Sequence, residues 1–539
     1  MFRGYPKWFW ALAAGALLLS AVPYLFALAI QPEGTLYLGV HSNFDDHAVY
    51  AAWAKQAQEG RFFFENRFTT DRQPSLTVNF YFFLVGNMAR IAGLPLAMHL
   101  AKAAFGLLFL MALYRLARRL GGSELSTAIA MATAIFGAGI GWLFWRRYGL
   151  EGPTDVWQPE AFTFPSLMQN GLFCAALWLI CVVWNCILDA EESWRPVLPG
   201  AAAALVLTNI HTYDMLTIAI GAAGLLMTTK RATGVWVGRS VCIALGALPA
   251  IAWFVYVRAN DPVFLARSET PTFSPPFLEV VQGYLPLLAL AVAAVSLWIS
   301  RRAAYGLIAL VGGMLLVQAS ADHAGNSAWL GVLGWGLLFI AGLAVCYLAR
   351  TENSIYGLLF AWAVMGFIAL YYPGLFQRKL AMGLSIPLGL MAGWAIAQFC
   401  SKISIRDRAP IAAVFVGAVS ISSMRWVIRE AQMAADNISN TTVEKIYWSE
   451  EVARMLTYFQ KNTRPNDAVL AMPGVPLQDE EEIVVGIPDL NPVLTGWAGV
   501  KSWAGHWSET PDYVDRRNAL TRGLYSKGST VESAGAIIR

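Results

Sequence analysis

The stretch HSNFDDHAVYAAWAKQAQEGRF, residues 41–62, sets two adjacent aspartates, Asp45 and Asp46, just after a long apolar run. A carboxylate in such a place can take a proton from a hydroxyl as that oxygen attacks an electrophilic carbon. Further polar groups recur beside apolar blocks. Arg61, Arg67, Asp71 and Arg72 follow the aspartate pair; Arg146, Arg147, Asp155 and Glu160 lie in RRYGLEGPTDVWQPEAFTFPS; His211, Tyr213 and Asp214 lie in TNIHTYD. Arg378 and Lys379 stand in YYPGLFQRKLAMG, and His506 and Trp507 in GHWSETPDY. Arginine and lysine can hold a phosphate and offset the charge it gains as a leaving group. Together these residue types suit glycosyl or phosphoryl transfer from a lipid-linked donor.

The elements that must position them are membrane helices. Of 539 residues, 57% are hydrophobic and 14% charged, against about 25% charged in an ordinary soluble domain. The apolar residues come in blocks of roughly 20, the length that crosses a bilayer as a helix. Spans are expected near 8–30, 96–117, 124–145, 169–189, 197–210, 212–229, 238–257, 284–300, 303–320, 328–348, 354–372, 380–399 and 409–425. That makes about 13 transmembrane helices. With the N-terminus inside, Arg115, Arg118 and Arg119, then Lys230, Arg231 and Arg239, then Arg301 and Arg302, then Lys402, Arg406 and Arg408 all fall in cytoplasmic loops, as the positive-inside rule asks. The polar groups named above then share the opposite, extracytoplasmic side.

The expected organisation is a transmembrane domain, 1–425, whose outer loops 31–75, 146–168 and 258–283 form the site, and a small extracytoplasmic α/β domain, 426–539. In the latter, EEVARMLTYFQKN has helical spacing and DAVLAMPG reads as a strand and turn. The chain stops at GAIIR, where another strand is expected to begin. Two segments depart from plain spans. The apolar run 75–95 is interrupted by Asn79, Asn87 and Arg90, so a re-entrant or interfacial helix is expected. The segments 197–210 and 212–229 meet at TNIHTYD as a hairpin that does not cross fully. The six cysteines lie in apolar segments without zinc or disulfide spacing. No basic stripe points to nucleic acid.

Each polar group also has a plainer role open to it. Asp45 can cap the helix that follows it; that would leave Asp46, Tyr50 and Trp53 near one face and Asp46 as the freer base. Asp155 and Glu160 can be solvated loop charges, Arg378 and Lys379 can snorkel to headgroups, His211 can be a packing histidine, and Tyr371 and Tyr372 can form an interfacial belt. Their coincidence on one side of the membrane argues for a site.

The arrangement resembles the GT-C class of integral-membrane glycosyltransferases, including the aminoarabinose and protein-mannosyl transferase branches. The resemblance is carried by Asp45-Asp46 after the first span, by the second acidic site at Asp155 or Glu160, and by LYRLARRLGG at the inner end of the next span. More closely, VYAAWAKQAQEGRFFFENRFTTDRQP, DVWQPEAFTFPSL, IHTYDMLT, DPVFLARSETPTFSPP, FQRKLAMGLSIPL and GHWSETPDY resemble bacterial GT-C-like membrane proteins. The resemblance implies an inverting glycosyltransferase of the bacterial inner membrane. It would move a sugar from a polyprenyl-phosphate donor to a lipid, glycan or protein acceptor. Asp45 or Asp46 would be the base, with the resemblance favouring Asp45. Glu160, or Asp155, would orient the acceptor or bind a divalent metal, Mg or Mn suiting open carboxylate oxygens, although no ligand set is complete in sequence. Arg378 and Lys379 would hold the donor phosphate; Arg72, His211, Tyr213, Asp214, His506 and Trp507 would line the pocket. The alternatives are a transporter or flippase of lipid-linked sugars, and a non-catalytic cell-envelope assembly protein.

Overall fold

A computed structural model describes residues 4–144, 152–323, 331–439, 445–464, 467–479, 482–525 and 528–538. Arg146 and Arg147 lie outside the described residues. The chain is a multi-pass helical membrane protein. Among the described residues, eight helices are long and apolar enough to cross a membrane, or up to nine if one bent pair counts as a single span. Five further apolar helices have 10–17 residues, which is short for a crossing.

In chain order the helices are α1 (Lys7–Ala29), α2 (Phe44–Gln58), α3 (Phe80–Ala92), α4 (Leu94–Arg118), α5 (Glu124–Phe136), α6 (Thr163–Gln169), α7 (Gly171–Asp189), α8 (Val197–Ile210) and α9 (Tyr213–Thr228). Then come α10 (Gly234–Leu245), α11 (Leu248–Asn260), α12 (Pro262–Ser268), α13 (Phe277–Trp298), α14 (Arg301–His323), α15 (Val332–Leu348), α16 (Ser354–Ala369), α17 (Ser385–Ser401), α18 (Arg408–Val419), α19 (Ile421–Asp436) and α20 (Glu450–Asn462). The compact units are two, and both are discontinuous, in place of one boundary near 425. The first comprises 1–20, 102–251 and 271–427; the second comprises 21–101, 252–270 and 428–539.

The first unit is a helix bundle. Its α17 carries Gly389 and Gly393 four residues apart, facing Ala134 and Ala130 of α5. A Cβ on either glycine would fall 2.5 Å from the Cα of the alanine it faces. Small residues at this spacing let two helix backbones approach closely, which is how membrane helices associate. The expected single span 409–425 is instead broken: α18 and α19 meet at 57°. Serines cluster at the break. Ser420 Oγ donates to Val416 O, Ala138 N–H donates to Val419 O (2.8 Å), and Ser422 Oγ accepts from Trp142 N–H (3.1 Å). The loop after α5 thus satisfies backbone left open by the break, which is what permits one in an apolar setting.

The expected hairpin is present as α8 and α9, joined at His211 and Thr212. At one end of α9 lies a cavity of about 470 Å³, lined by Arg119, Asp189, Glu191, Arg231, Glu352 and Ser354 among others. Arg115 pairs with Asp189 at 3.0 Å, and Arg231 with Glu352 at 3.3 Å. Two of the basic loops that the charge bias assigned to one side of the membrane, those of Arg119 and Arg231, therefore meet at one end of this unit.

The second unit assembles α2, α3, α12, α20 and short strands. The strand Thr35–Tyr37 (β1), from the first loop, pairs antiparallel with Tyr447–Ser449 (β2), from the C-terminal segment, Leu36 opposite Trp448. Ala468–Val469 (β3) pairs parallel with Lys501–Ser502, and Val475–Asp479 forms an antiparallel pair with Glu482–Ile487. The C-terminal residues therefore share a sheet with the first loop. The helix expected over EEVARMLTYFQKN is α20, whereas DAVLAMPG contributes only the two residues of β3. The end of the chain, Val531–Ile538, is helical, where a strand was expected.

The polar residues that interrupt 75–95 each have a local partner. Asn79 caps α3, accepting from Tyr81 N–H and Phe82 N–H; Asn87 donates to Phe83 O; Arg90 donates to Gln58 O at the end of α2. The helix has 13 residues, so at 1.5 Å per residue it reaches only about 20 Å.

Candidate active site

In the second unit the structure gathers Asp45, Asp46, His506 and Trp507. The capping expectation for Asp45 fails. The N-cap of α2 is Asn43, in the left-handed region at φ 56°, ψ 45°, a conformation asparagine tolerates better than most residues. Asp45 and Asp46 both lie in the first helical turn. The Asp45 carboxylate is oriented by groups from the far end of the chain: Trp507 Nε1–H donates to Oδ2 at 3.0 Å, while Oδ1 accepts from Asp46 N–H at 2.9 Å. His506 Nε2 stands 3.5 Å from Asp45 Oδ2 and 4.0 Å from Asp46 Oδ1.

The histidine tautomer follows from its other nitrogen. Ser508 N–H donates to His506 Nδ1 at 3.1 Å, so the ring proton lies on Nε2, facing the carboxylates. Burial works to raise the Asp45 pKa, but the His506 N–H, the Asp46 N–H and the Trp507 indole outweigh it and hold the carboxyl below its usual range. Burial works to lower that of His506, but Asp45 first, then Glu509 and Asp46, raise it. The side chains of Asp45 and Asp46 are 43% and 51% exposed, against 1% for His506. The result is two carboxylates open to a reactant, with a buried histidine behind them.

The loop bearing His506 is anchored by residues that sequence reasoning passed over. Arg267 of α12 pairs with Glu509 at 2.7 Å and lies 5.5 Å over the Trp53 ring of α2; Asn66 Nδ2 donates to Glu509 O at 2.7 Å. Both Arg267 and Glu509 fall inside stretches singled out above, DPVFLARSETPTFSPP and GHWSETPDY, and that is the signal that marks them. Arg67 is a clamp: it pairs with Glu59 at 2.7 Å and donates to Gly499 O at 2.7 Å. Asp71 pairs with Arg516 at 2.6 Å, while Arg72 is exposed.

In the first unit a second group forms at the other end of α9 from the cavity. Arg378 and Lys379 lie in a short 3-10 turn, Gln377–Ala381. Arg378 pairs with Glu160 at 3.3 Å and stacks 5.7 Å over Trp157; Gln158 Nε2 donates to Arg378 O at 3.0 Å. Lys379 lies 5.4 Å over the Tyr213 ring, and Tyr213 packs on Phe376. His211 and Asp214 pair at 3.0 Å. These two cations are thus backed by aromatic rings, where the plainer reading had them reaching to headgroups. Tyr371 is no belt residue: it is 3% exposed and its hydroxyl donates to Pro275 O at 2.7 Å.

Asp155 stands apart from that group. It is fully buried, its Oδ2 accepts from Gly141 N–H at 3.0 Å, and its carbonyl accepts from Trp426 Nε1–H at 2.7 Å. A Cβ on Gly141 would come within 2.3 Å of Asp155 Oδ1, so a side chain there would have to displace the carboxylate. Burial pushes the Asp155 carboxyl up to about 6, against the hydrogen bonds that favour its charge.

Among the described residues, no three His, Cys, Asp or Glu side chains group so as to hold a metal ion. The imidazole of His506, and no further carboxylate oxygen among the described residues, faces Asp45 and Asp46.

No protein-family model and no curated protein matches this chain. Among solved structures, it is similar to the archaeal oligosaccharyltransferase AglB from Archaeoglobus fulgidus in complex with an inhibitory peptide and a dolichol-phosphate (13% identity, TM-score 0.46, covering 98% of this chain and 68% of that one). It is also similar to ArnT from Cupriavidus metallidurans in the apo state (12% identity, TM-score 0.46, covering 92% and 85%).

Proposed function

We propose that this chain is an inverting glycosyltransferase of the GT-C kind, moving a sugar from a polyprenyl-phosphate donor to a lipid, glycan or protein acceptor at the outer face of a bacterial inner membrane. The observation that carries this reading is the Asp45 carboxylate, ionised and aimed by Trp507 and His506. An acceptor hydroxyl attacks the anomeric carbon, the bond to the phosphate oxygen breaks, and its electron pair leaves with the phosphate. The hydroxyl proton passes to Asp45 as the new bond forms. A carboxylate is a weak base, but it suffices because the hydroxyl becomes acidic only as it attacks. Asp46 adds negative charge beside it.

Within the first unit, Arg378 and Lys379, held by Glu160, Trp157 and Tyr213, offer positive charge of the kind that binds a lipid phosphate. Glu160 keeps the Arg378 fork in place. Asp155, buried against backbone N–H groups, supports the loop. The charge bias of the opposite loops favours the outer face for these groups.

The test is transfer in vesicles containing the full-length protein, a polyprenyl-phosphate sugar and a panel of acceptors. A new glycosidic bond is expected. Movement of the lipid-linked sugar across the bilayer without such a bond would replace this reading with a flippase. Mass spectrometry of glycans and lipids from a deletion strain would then name the sugar and acceptor.

A further inference from the structure

Directly before the aspartate pair lies a buried charged network that the mechanism above does not use. Glu430, in the middle of α19, is fully buried, and Arg429 Nη2 pairs with its Oε1 at 2.7 Å. Ser42 Oγ donates to Glu430 Oε1 at 2.9 Å, and Ser42 N–H approaches Oε2 at 3.4 Å. His41 Nδ1 lies 3.6 Å from Oε2, its Nε2 meets Tyr37 Oη at 2.8 Å, and its ring packs 4.6 Å from Tyr24. Tyr37 is in turn fixed in register with Tyr447 across β1 and β2.

Placing an ionised pair in a dry interior is costly, and in some proteins such a pair fixes a geometry that apolar packing would not specify. The geometry at stake here is unusual. Asn43, next after Ser42, takes a left-handed conformation that turns the chain into α2. His47 Nδ1 closes the turn from the other side, bonding Asn43 O at 3.0 Å. With Ser42 held on Glu430 and Asn43 held by His47, the direction of the first turn of α2 has no slack, and Asp45 is its second residue.

We propose that Glu430 is a positioning residue: through Ser42 and the left-handed Asn43 it sets where the Asp45 carboxylate meets Trp507 and His506. Its part in catalysis rests on the reading above, but its structural effect does not. Glu430→Gln keeps the shape and removes the charge that holds Arg429 and His41. Ser42→Ala removes a single hydrogen bond and leaves the buried pair intact, so it serves where Glu430→Gln fails to fold.

The probe is full-length protein labelled with 5-fluorotryptophan, with the resonance of Trp507 assigned among the 21 tryptophans by Trp507→Phe. Asp45→Asn should move that resonance, since it alters the group accepting from the indole. Glu430→Gln and Ser42→Ala should each move it as well. A Trp507 resonance that stays in place in the folded Glu430→Gln protein, or in Ser42→Ala where Glu430→Gln does not fold, overturns the proposal. In transfer assays, Glu430→Gln should lower kcat about 10-fold with donor KM changed less than about 2-fold, and should cost nothing further once Asp45 is already Asn. Equal losses in both backgrounds would reduce Glu430 to general stability and overturn the proposal too. If the wild-type protein transfers no sugar, the functional reading fails, while the fluorine resonance still decides the positioning.

Discussion

Asp45 and Asp155 are the same residue in opposite surroundings. Asp45 is 43% exposed in a first helical turn, with an imidazole and an indole directed at it, and its pKa is held low. Asp155 has no exposure, is met by backbone N–H groups, and has its pKa pushed to about 6 by burial. A carboxylate that serves as a base must be both ionised and reachable. Only the first meets both conditions. The contrast teaches that an acidic residue in a loop is sorted into chemistry or architecture by its desolvation and its donors, which the residue type does not reveal.

The comparison breaks most sharply under substitution. Asp45→Asn combined with Asp46→Asn should lower transfer by about 10²–10⁴-fold while the protein stays folded, measured as product in vesicles. Asp155→Asn should keep transfer within a few-fold. The reverse pattern would exchange the roles assigned to the two sites. Next in size, Arg378→Ala with Lys379→Ala should weaken donor use by about 10–100-fold in kcat/KM, with acceptor KM little changed. An unchanged donor dependence would remove the phosphate role.

Acidity sharpens the contrast further. The Asp45 pKa is depressed, so the base stays ionised as pH falls through the ordinary carboxylate range, and the acid limb of kcat/KM should lie below that range. His506→Asn removes the largest source of that depression and should move the limb upward; a limb that stays in place would detach His506 from Asp45. For Asp155 the sign is opposite. Its folded pKa, about 6, lies above its ordinary value of 3.8, so the folded chain binds this proton more tightly than the unfolded chain does. Stability from this group is full below about 4 and is lost as pH rises through about 6. Wild type should therefore lose more thermal stability between those pH values than Asp155→Asn, as followed by Tm. The smallest expected effect is that of chelation: because His506 Nε2 is the group facing Asp45 and Asp46, EDTA should leave the rate unchanged, and a rate lost to EDTA and restored by Mg or Mn would give the carboxylates a metal in its place.

Much of the fold was legible because its signals are local. A block of about 20 apolar residues is enough to call a membrane helix, and interruptions such as Asn79 and Arg90 marked α3 as something other than a span. The TNIHTYD hairpin and α20 were readable in the same way. The break between α18 and α19 was not, because the serines near 420 in the otherwise apolar 409–425 do not by themselves end a helix, and the groups that satisfy the broken turn come from Ala138 and Trp142, far away in sequence. The capping role given to Asp45 failed for a similar reason: a residue type that favours caps sat two positions inside the helix, and Asn43 took the cap in a conformation few residues adopt.

The sequence by itself determined the class of molecule and the residue types available for chemistry, since hydropathy and side-chain identity are properties of each position alone. It also put Asp45, Arg378, His506 and Trp507 among the candidates. Which of these meet was decided by tertiary structure. Trp507 lies 462 residues after Asp45 and Glu430 388 after Ser42, and only folding brings such pairs within hydrogen-bonding distance. Burial, which separates Asp45 from Asp155, is likewise a property of the packed chain, because desolvation depends on what surrounds a group in space.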